Sequence, residues 1–459
     1  MASLLLLLSL LVFSTLCYSS YANGVETHRG FHSVALDSLQ PSDTCSSIPK
    51  AFDGNRLPIV HRHGPCSPVA NRQKINHKQI LRDDIARVNS LNRKHSMLKE
   101  EDLNGVTIPD RKGYPVNTMD YIVTVGYGTP AKNFSVIFDT GSDISWIQCK
   151  PCADGDCYPQ HEQLFDPSQS STYANIPCMS EDCALIGGIC DESYNCIYSV
   201  DYGDGSSTTG LLAKETLTLT PTNVLNKFEF GCGNLNDGSF GTAAGLIGLG
   251  RNRVSLASQA SAVYGDAFSY CLPKFNNATG FLTIGAQQQY PGVEFTPMLT
   301  DPNNPSFYFV ELVGISVGGR NLSIRPAVFK TPGTIMDSGT VLTYLPPGAY
   351  LALRHRFRSL MRNYTRAPPF EALDTCYDFR GEDKISIPDV KLHFGGGATL
   401  DVISSGTVLS LSPSQTCLAF RPTVSSGQLS IIGNTQQRST EVVYDLGRRM
   451  IGFGPRSCS

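Results

Sequence analysis

The chain has 459 residues, 41% hydrophobic and 17% charged, which fits a globular protein of two or three domains and excludes a disordered tail or a coiled coil. A net charge of −3 gives no electrostatic case for nucleic acid as a main partner. Gly (42) and Pro (28) are frequent enough to favour a turn-rich, mostly β chain.

Taken in chain order, Leu4 to Leu16 is almost wholly apolar, and Ser20-Tyr21-Ala22 follows in the pattern a signal peptidase reads. Residues 1–22 are therefore expected to be a secretory signal, although no Lys or Arg precedes the apolar run. A membrane anchor is the alternative, but the run falls short of the roughly 20 residues needed to span. The polar, basic end from Arg448 to Ser459 argues against a lipid-anchor tail. Residues 23–113 carry 14 Lys+Arg against 10 Asp+Glu and six of the nine His, whereas 114–459 carry 23 against 30. The basic segment contains the turn-rich stretch Pro58 to Pro68 and one amphipathic helix with Leu81, Ile85 and Val88 on a face and Arg82, Asp84 and Arg87 around it. The acidic body has strand-like runs such as Tyr121 to Val125 and Phe307 to Leu312, bounded by Gly, Asn and Pro, and reads as all-β.

Fifteen cysteines suit an exported chain. Cys17 leaves with the signal, Cys45 and Cys66 lie in the basic segment, and the twelve in the body allow six disulfides. Seven fall between Cys149 and Cys196, too dense for core positions and read as a stapled surface insertion. The spacing Cys149-x2-Cys152 with Cys178-x4-Cys183 imitates a zinc site, but an oxidising compartment favours disulfides. No metal and no cofactor is expected.

An internal repeat carries the chemistry. Ile137-Phe138-Asp139-Thr140-Gly141-Ser142 recurs as Ile335-Met336-Asp337-Ser338-Gly339-Thr340, and an apolar pair with Gly follows each copy at Leu246-Ile247-Gly248 and Ile431-Ile432-Gly433. Two homologous lobes, each giving one Asp, follow from this pattern. Gly after each Asp lets the two turns approach closely. Carboxylates held that near cannot both ionise cheaply, so they share a proton over a wide acidic range. The charged one takes a proton from a water between them, and the neutral one polarises a carbonyl. Surface-turn aspartates are the plainer reading of either motif alone, and the matched context disfavours it.

On these residues the body resembles the pepsin-like aspartic proteases over nearly all of 114–459. Trp146 lies seven residues after Asp139, and Tyr202-Gly203-Asp204-Gly205-Ser206 looks like the family's flap hairpin. The cysteine-rich insertion resembles the plant nepenthesin-type subgroup, and Leu57 to Cys66 is similar to prosegments near the chloroplast-nucleoid DNA-binding protease branch. The resemblance implies a bilobal all-β fold, with lobes 114–302 and 303–459 joined near Thr300 to Pro305, behind a prosegment 23–113. It implies Asp139 and Asp337 as the catalytic dyad, supported by Thr140, Gly141, Ser142, Ser338, Gly339 and Thr340. Ser142 and Thr340 would bond the outer carboxylate oxygens, Thr140 and Ser338 would grip across the loops, and Tyr202, Gly203 and Trp146 would form the flap and substrate-binding set. Ser338 stands where the family usually has Thr and keeps the hydroxyl. The implied disulfides are Cys149–Cys152, Cys157–Cys232, Cys178–Cys196, Cys183–Cys190, Cys271–Cys458 and Cys376–Cys417.

Four sequons, at Asn133, Asn277, Asn321 and Asn363, can accept glycans in the secretory path. Gly245 to Gly250 imitates a phosphate loop without the Lys-Ser/Thr it needs. The expected protein is a monomeric, secreted aspartic endopeptidase made as a zymogen, acting on proteins or peptides, with neither membrane nor nucleic acid as partner. Apoplast is the first compartment and vacuole the second. The basic segment is expected to lie over an acidic cleft, released when acid protonates its histidines together with the cleft carboxylates and weakens their ion pairs. The rivals are an inert pepsin-like inhibitor of cell-wall hydrolases, a two-carboxylate glycosidase, and DNA binding confined to the basic segment.

Overall fold

The computed structural model describes residues 30–40, 42–46, 56–69, 76–100, 121–153, 155–202, 205–238, 240–285, 287, 289–456 and 458. The signal-peptide reading of 1–22 and the boundary at 113 lie outside them, as does Gly203.

Strand Tyr121–Tyr127 pairs antiparallel with Lys132–Asp139. Both are buried on nearly every side chain, so they read as continuous apolar runs rather than as alternation. The second strand runs on into parallel pairing with Gly245–Gly248, with Leu246 opposite Ile137, Ile247 opposite Phe138 and Gly248 opposite Asp139. The other lobe repeats the device. Thr334–Met336 pairs parallel with Ser430–Ile432, with Ile335 opposite Ile431 and Met336 opposite Ile432. The apolar pairs that follow each motif in sequence are thus the parallel partners that hold each Asp loop to its lobe.

Beneath both lobes runs an antiparallel sheet of neighbouring strands 121–127, 56–61, 279–284, 267–271, 440–445, 450–456 and 294–299. Its centre is aromatic: Phe268 stacks on Tyr444 with ring centroids 4.5 Å apart, and Tyr270 lies 5.8 Å from Tyr444. The expected linker near Thr300 to Pro305 is the turn of a hairpin, since Met298 pairs with Val310 and Leu299 with Phe309.

The basic segment is built into this frame. Strand Arg56–His61 sits between 121–127 and 279–284, and Phe31–Ala35 pairs with Lys384–Pro388 of the second lobe. Cys45–Cys66 joins two parts of the segment to each other. Helix His77–Glu100 is started by Asn76, whose side-chain oxygen accepts from Gln79 N. Its residues Leu81, Val88 and Leu91 pack in one cluster with Phe307, Phe309, Ile335 and Val341. The expected stripe is present in part: Ile85 is half-buried, whereas Asp84 and Arg87, placed around the helix by the sequence, are fully buried.

Disulfides Cys271–Cys458 and Cys376–Cys417 close as the resemblance implied, the latter between register partners of neighbouring strands. The four pairings implied for the insertion are corrected. Cys149 follows a strand paired with the one that carries Cys232, and the bond is Cys149–Cys232 rather than Cys149–Cys152. Cys152 then bonds Cys157, which replaces Cys157–Cys232. In the hairpin that sets Cys190 opposite Cys196, Cys196 faces inward to the buried Cys183, and Cys190 is outward and bonds Cys178. These replace Cys178–Cys196 and Cys183–Cys190. Nor is the insertion wholly superficial: Cys149 joins the main core, and Cys178, Cys183 and Cys196 pack with Ile176 and Leu212 in a small core of their own.

Candidate active site

Each parallel strand pair ends at its Asp, and the two loops lock across the lobe boundary. Thr140 N donates to Ser338 Oγ at 3.0 Å and Ser338 N donates to Thr140 Oγ1 at 2.9 Å. Serine performs this grip because only the hydroxyl is used. A Cβ on Gly141 would lie 2.8 Å from Asp337 Oδ1 and one on Gly339 2.4 Å from Asp139 Oδ1, so any larger residue would wedge the loops apart.

Both carboxylates are 0% exposed. Asp139 accepts from Gly141 N at 3.0 Å on Oδ1 and from Ser142 Oγ at 2.8 Å on Oδ2. Asp337 accepts from Gly339 N at 3.0 Å on Oδ1 and from Thr340 Oγ1 at 2.5 Å on Oδ2. Below the grip, Asn434 donates to Ser338 O at 3.1 Å and Gln437 to Ile432 O at 2.8 Å, fixing the second loop from behind.

Between the carboxylates lies Arg87, from the helix. Its Nη2 donates to Asp139 Oδ1 at 2.9 Å and to Asp337 Oδ1 at 3.0 Å, while Nε donates to Asp337 Oδ2 at 3.1 Å. One guanidinium therefore bridges both groups. Burial raises Asp337, but the guanidinium with Thr340 and Gly339 outweighs it and holds the carboxyl below its ordinary range. Asp139 goes the other way, because burial and the neighbouring carboxylate outweigh what Arg87, Gly141 and Ser142 return. One turn earlier, Asp84 accepts from Val341 N, Leu342 N and Tyr344 Oη, and burial nevertheless pushes its carboxyl up to about 6. Asn92 accepts from Leu429 N at 2.6 Å, a third polar anchor.

Trp146 is fully buried, and its Nε1 donates to Tyr202 Oη at 2.8 Å. Phe240, which the sequence did not single out, packs edge-on against both rings. Tyr202 borders a cavity of about 360 Å³ that also touches Asp139, Arg87, Leu91, Ile144 and Phe307. Gly245–Gly248 is a core strand beside Asp139 and not a phosphate loop. Asn133, Asn321 and Asn363 are exposed; Asn277 is half-buried and its carbonyl accepts from Ser46 N.

The segment's histidines are not as expected. Among the described residues no carboxylate pairs with His61, His63 or His77. Burial lowers all three, and cationic neighbours add to it: His63 drops to about 3 beside Arg62 and His77, and His61 is lowered further by His63, Arg438, Arg62 and His77. They are held neutral by burial rather than charged by partners.

Arg87, Asp84 and Asn92 are the site residues that sequence reasoning missed. The available signal was spacing, because Asp84 interrupts the series Leu81, Val88, Leu91 that faces the core.

Two homologous β lobes that each place one buried aspartate at a mutually gripped loop define the pepsin-like aspartic protease architecture. Basic 7S globulin from soybean (TM-score 0.58, 19% identity, 73% of this chain and 90% of that one) and conglutin gamma from lupine seeds (TM-score 0.59, 20% identity, 73% and 91%) share this fold. The chain belongs to the pepsin-like aspartic protease family. Residues 121–286 match the family described as xylanase inhibitor N-terminal, and residues 307–455 its C-terminal counterpart. An aspartyl protease family protein of Arabidopsis thaliana is 41% identical over 99% of both chains, and aspartyl protease AED1 of the same plant is 40% identical over 98% of both. Aspartic proteinase nepenthesin-2 of Nepenthes gracilis is 36% identical over 74% of this chain and 78% of its own.

Proposed function

We propose that the protein is a secreted aspartic endopeptidase, made as a precursor that its own N-terminal segment blocks. The observation that carries this is the bridging of Asp139 and Asp337 by Arg87: two buried carboxylates close enough for one nitrogen to touch both, capped by a cation that substrate must displace. With the helix gone, a water takes the place of the guanidinium. The charged aspartate accepts its proton as it attacks the peptide carbonyl, the neutral one donates to the developing oxyanion, and the leaving nitrogen is protonated in turn. Neither metal nor covalent intermediate is required. Tyr202, steadied by Trp146, closes over an extended substrate and excludes water. Broad cleavage beside bulky apolar residues, glycosylation at some of the four sequons, a monomeric state, and the apoplast, with vacuole second, complete the reading.

A second reading, an inert binding protein, draws on the family descriptions, which name xylanase inhibitors. Both aspartates and the flap tyrosine favour the enzyme. Acid-treated full-length protein is assayed on casein across pH, with Asp139→Ala and Asp337→Ala beside it. Cleavage by the parent that both variants lose, with unchanged circular dichroism, is expected. A fully processed parent that cleaves nothing defeats the proposal, as does activity retained in either variant.

A further inference from the structure

One helical turn before Arg87, the carboxylate of Asp84 fills a cradle on the second lobe. Val341 N donates to Oδ1 at 2.6 Å, and Leu342 N and Tyr344 Oη donate to Oδ2 at 3.1 and 2.9 Å. Tyr344 lies opposite Arg421 in parallel strands, and Arg421 Nη1 donates to the Tyr344 oxygen at 3.3 Å, which turns the phenol proton toward the carboxylate. Arg421 Nε is buried and has no hydrogen-bond partner among the described residues. Among the described residues, the groups that face Asp84, Val341 N, Leu342 N, Tyr344 Oη and Arg421, are all donors or cations. Such a set recognises an anion with two oxygens, and a neutral amide would set its NH2 against one of the donors.

Val341 and Leu342 directly follow the Ser338 to Thr340 loop, so the cradle is built on the same rigid turn as Asp337. We propose that, once the helix departs, this cradle binds the carboxylate side chain of a peptide substrate and selects for an acidic residue at one position near the scissile bond. Three helical residues span about 4.5 Å, and an extended peptide advances about 3.3 Å per residue. The acidic residue therefore falls within three residues of the bond. Burial is what raises Asp84; in an open cleft that burial is relieved while the donors stay.

The inference rests on the endopeptidase reading, and its test separates the two. Acid-activated enzyme is given fluorogenic peptides at pH 5.5 in which a single Glu, Gln or Ala is walked through three positions on either side of the cleaved bond. At one position Glu is expected to give a kcat/KM about tenfold above Gln and Ala, as a charge-assisted hydrogen-bond set does over neutral ones. Arg421→Met and Tyr344→Phe are expected to reduce that Glu:Gln ratio several-fold. Equal rates for Glu, Gln and Ala at every position overturn the cradle and leave the endopeptidase standing, whereas no cleavage of any peptide overturns both. A Glu preference that both variants keep also overturns the cradle. Should a variant not fold, the wild-type series decides.

Discussion

Arg87→Met in the full-length chain removes the guanidinium while keeping most of its apolar stem. The parent side chain makes three hydrogen bonds to two carboxylates, all three groups being at most 6% exposed. Breaking a buried pair by deleting one partner costs about 3–5 kcal/mol. Here the two aspartates recover part of that by sharing a proton, so the low end applies. A loss of about 3 kcal/mol shifts the docked-to-open equilibrium of the helix by roughly 150-fold. Asp84, Asn92 and the Leu81, Val88 and Leu91 contacts remain, so the helix opens more often without the segment unfolding. Calorimetric titration with a statine-containing peptide at pH 6.5 reads the change directly, because apparent affinity scales with the open fraction. The variant is expected to bind on the order of a hundredfold more tightly than the parent. Equal affinities, with both proteins melting at the same temperature, would refute the claim that this cation closes the site.

His63→Gln removes a group lowered from 6.5 to about 3 in the docked segment, which costs about 2–3 kcal/mol at pH 4.5; autoprocessing followed by gel should therefore begin at a lower pH. Asp84→Asn is expected to move processing to higher pH, since an amide sets its NH2 against one of the two backbone N–H donors that hold the carboxylate. Mass-spectrometric mapping is expected to find Cys149–Cys232 and Cys183–Cys196. The paired Cys149→Ser and Cys232→Ser variant, which opens a link of 83 residues, should lose about 4–5 kcal/mol of stability in urea.

The dyad was legible because a turn that must bring Asp, hydroxyl and Gly together spells itself twice, and because Leu246 to Gly248 and Ile431 to Gly433 pair with it directly. The Trp146 to Tyr202 contact was legible only through the family likeness, since nothing in either segment specifies the other. The disulfides of the insertion were not legible: the choice between Cys190 and Cys196 as partner for Cys183 depends on which side of a two-residue strand faces in. Arg87 and Asp84 were read as the polar side of an amphipathic helix. That inference assumes a polar face meets water, and it fails where the opposing surface is itself a buried pair of carboxylates and a row of free N–H groups.

On the precursor reading, the same buried groups bear on how acid would open the site. Arg87 holds Asp337 low, so this bond contributes fully above the ordinary carboxylate range and fades only as pH falls through it. Asp84 leaves with the segment and is raised in the docked state, so protonating it favours docking. Asp337 therefore releases the helix late and Asp84 resists its release. His61, His63 and His77 have the opposite sign: each is lowered by burial, so each stabilises docking above about 6.5 and withdraws that support as pH falls below it. They sit on or beside the Arg56–His61 strand and near Arg438, at the sheet rather than in the cleft. On the precursor reading proposed above, acid would be sensed where the segment joins the sheet under the lobes, and the cation between Asp139 and Asp337 would be withdrawn as a consequence.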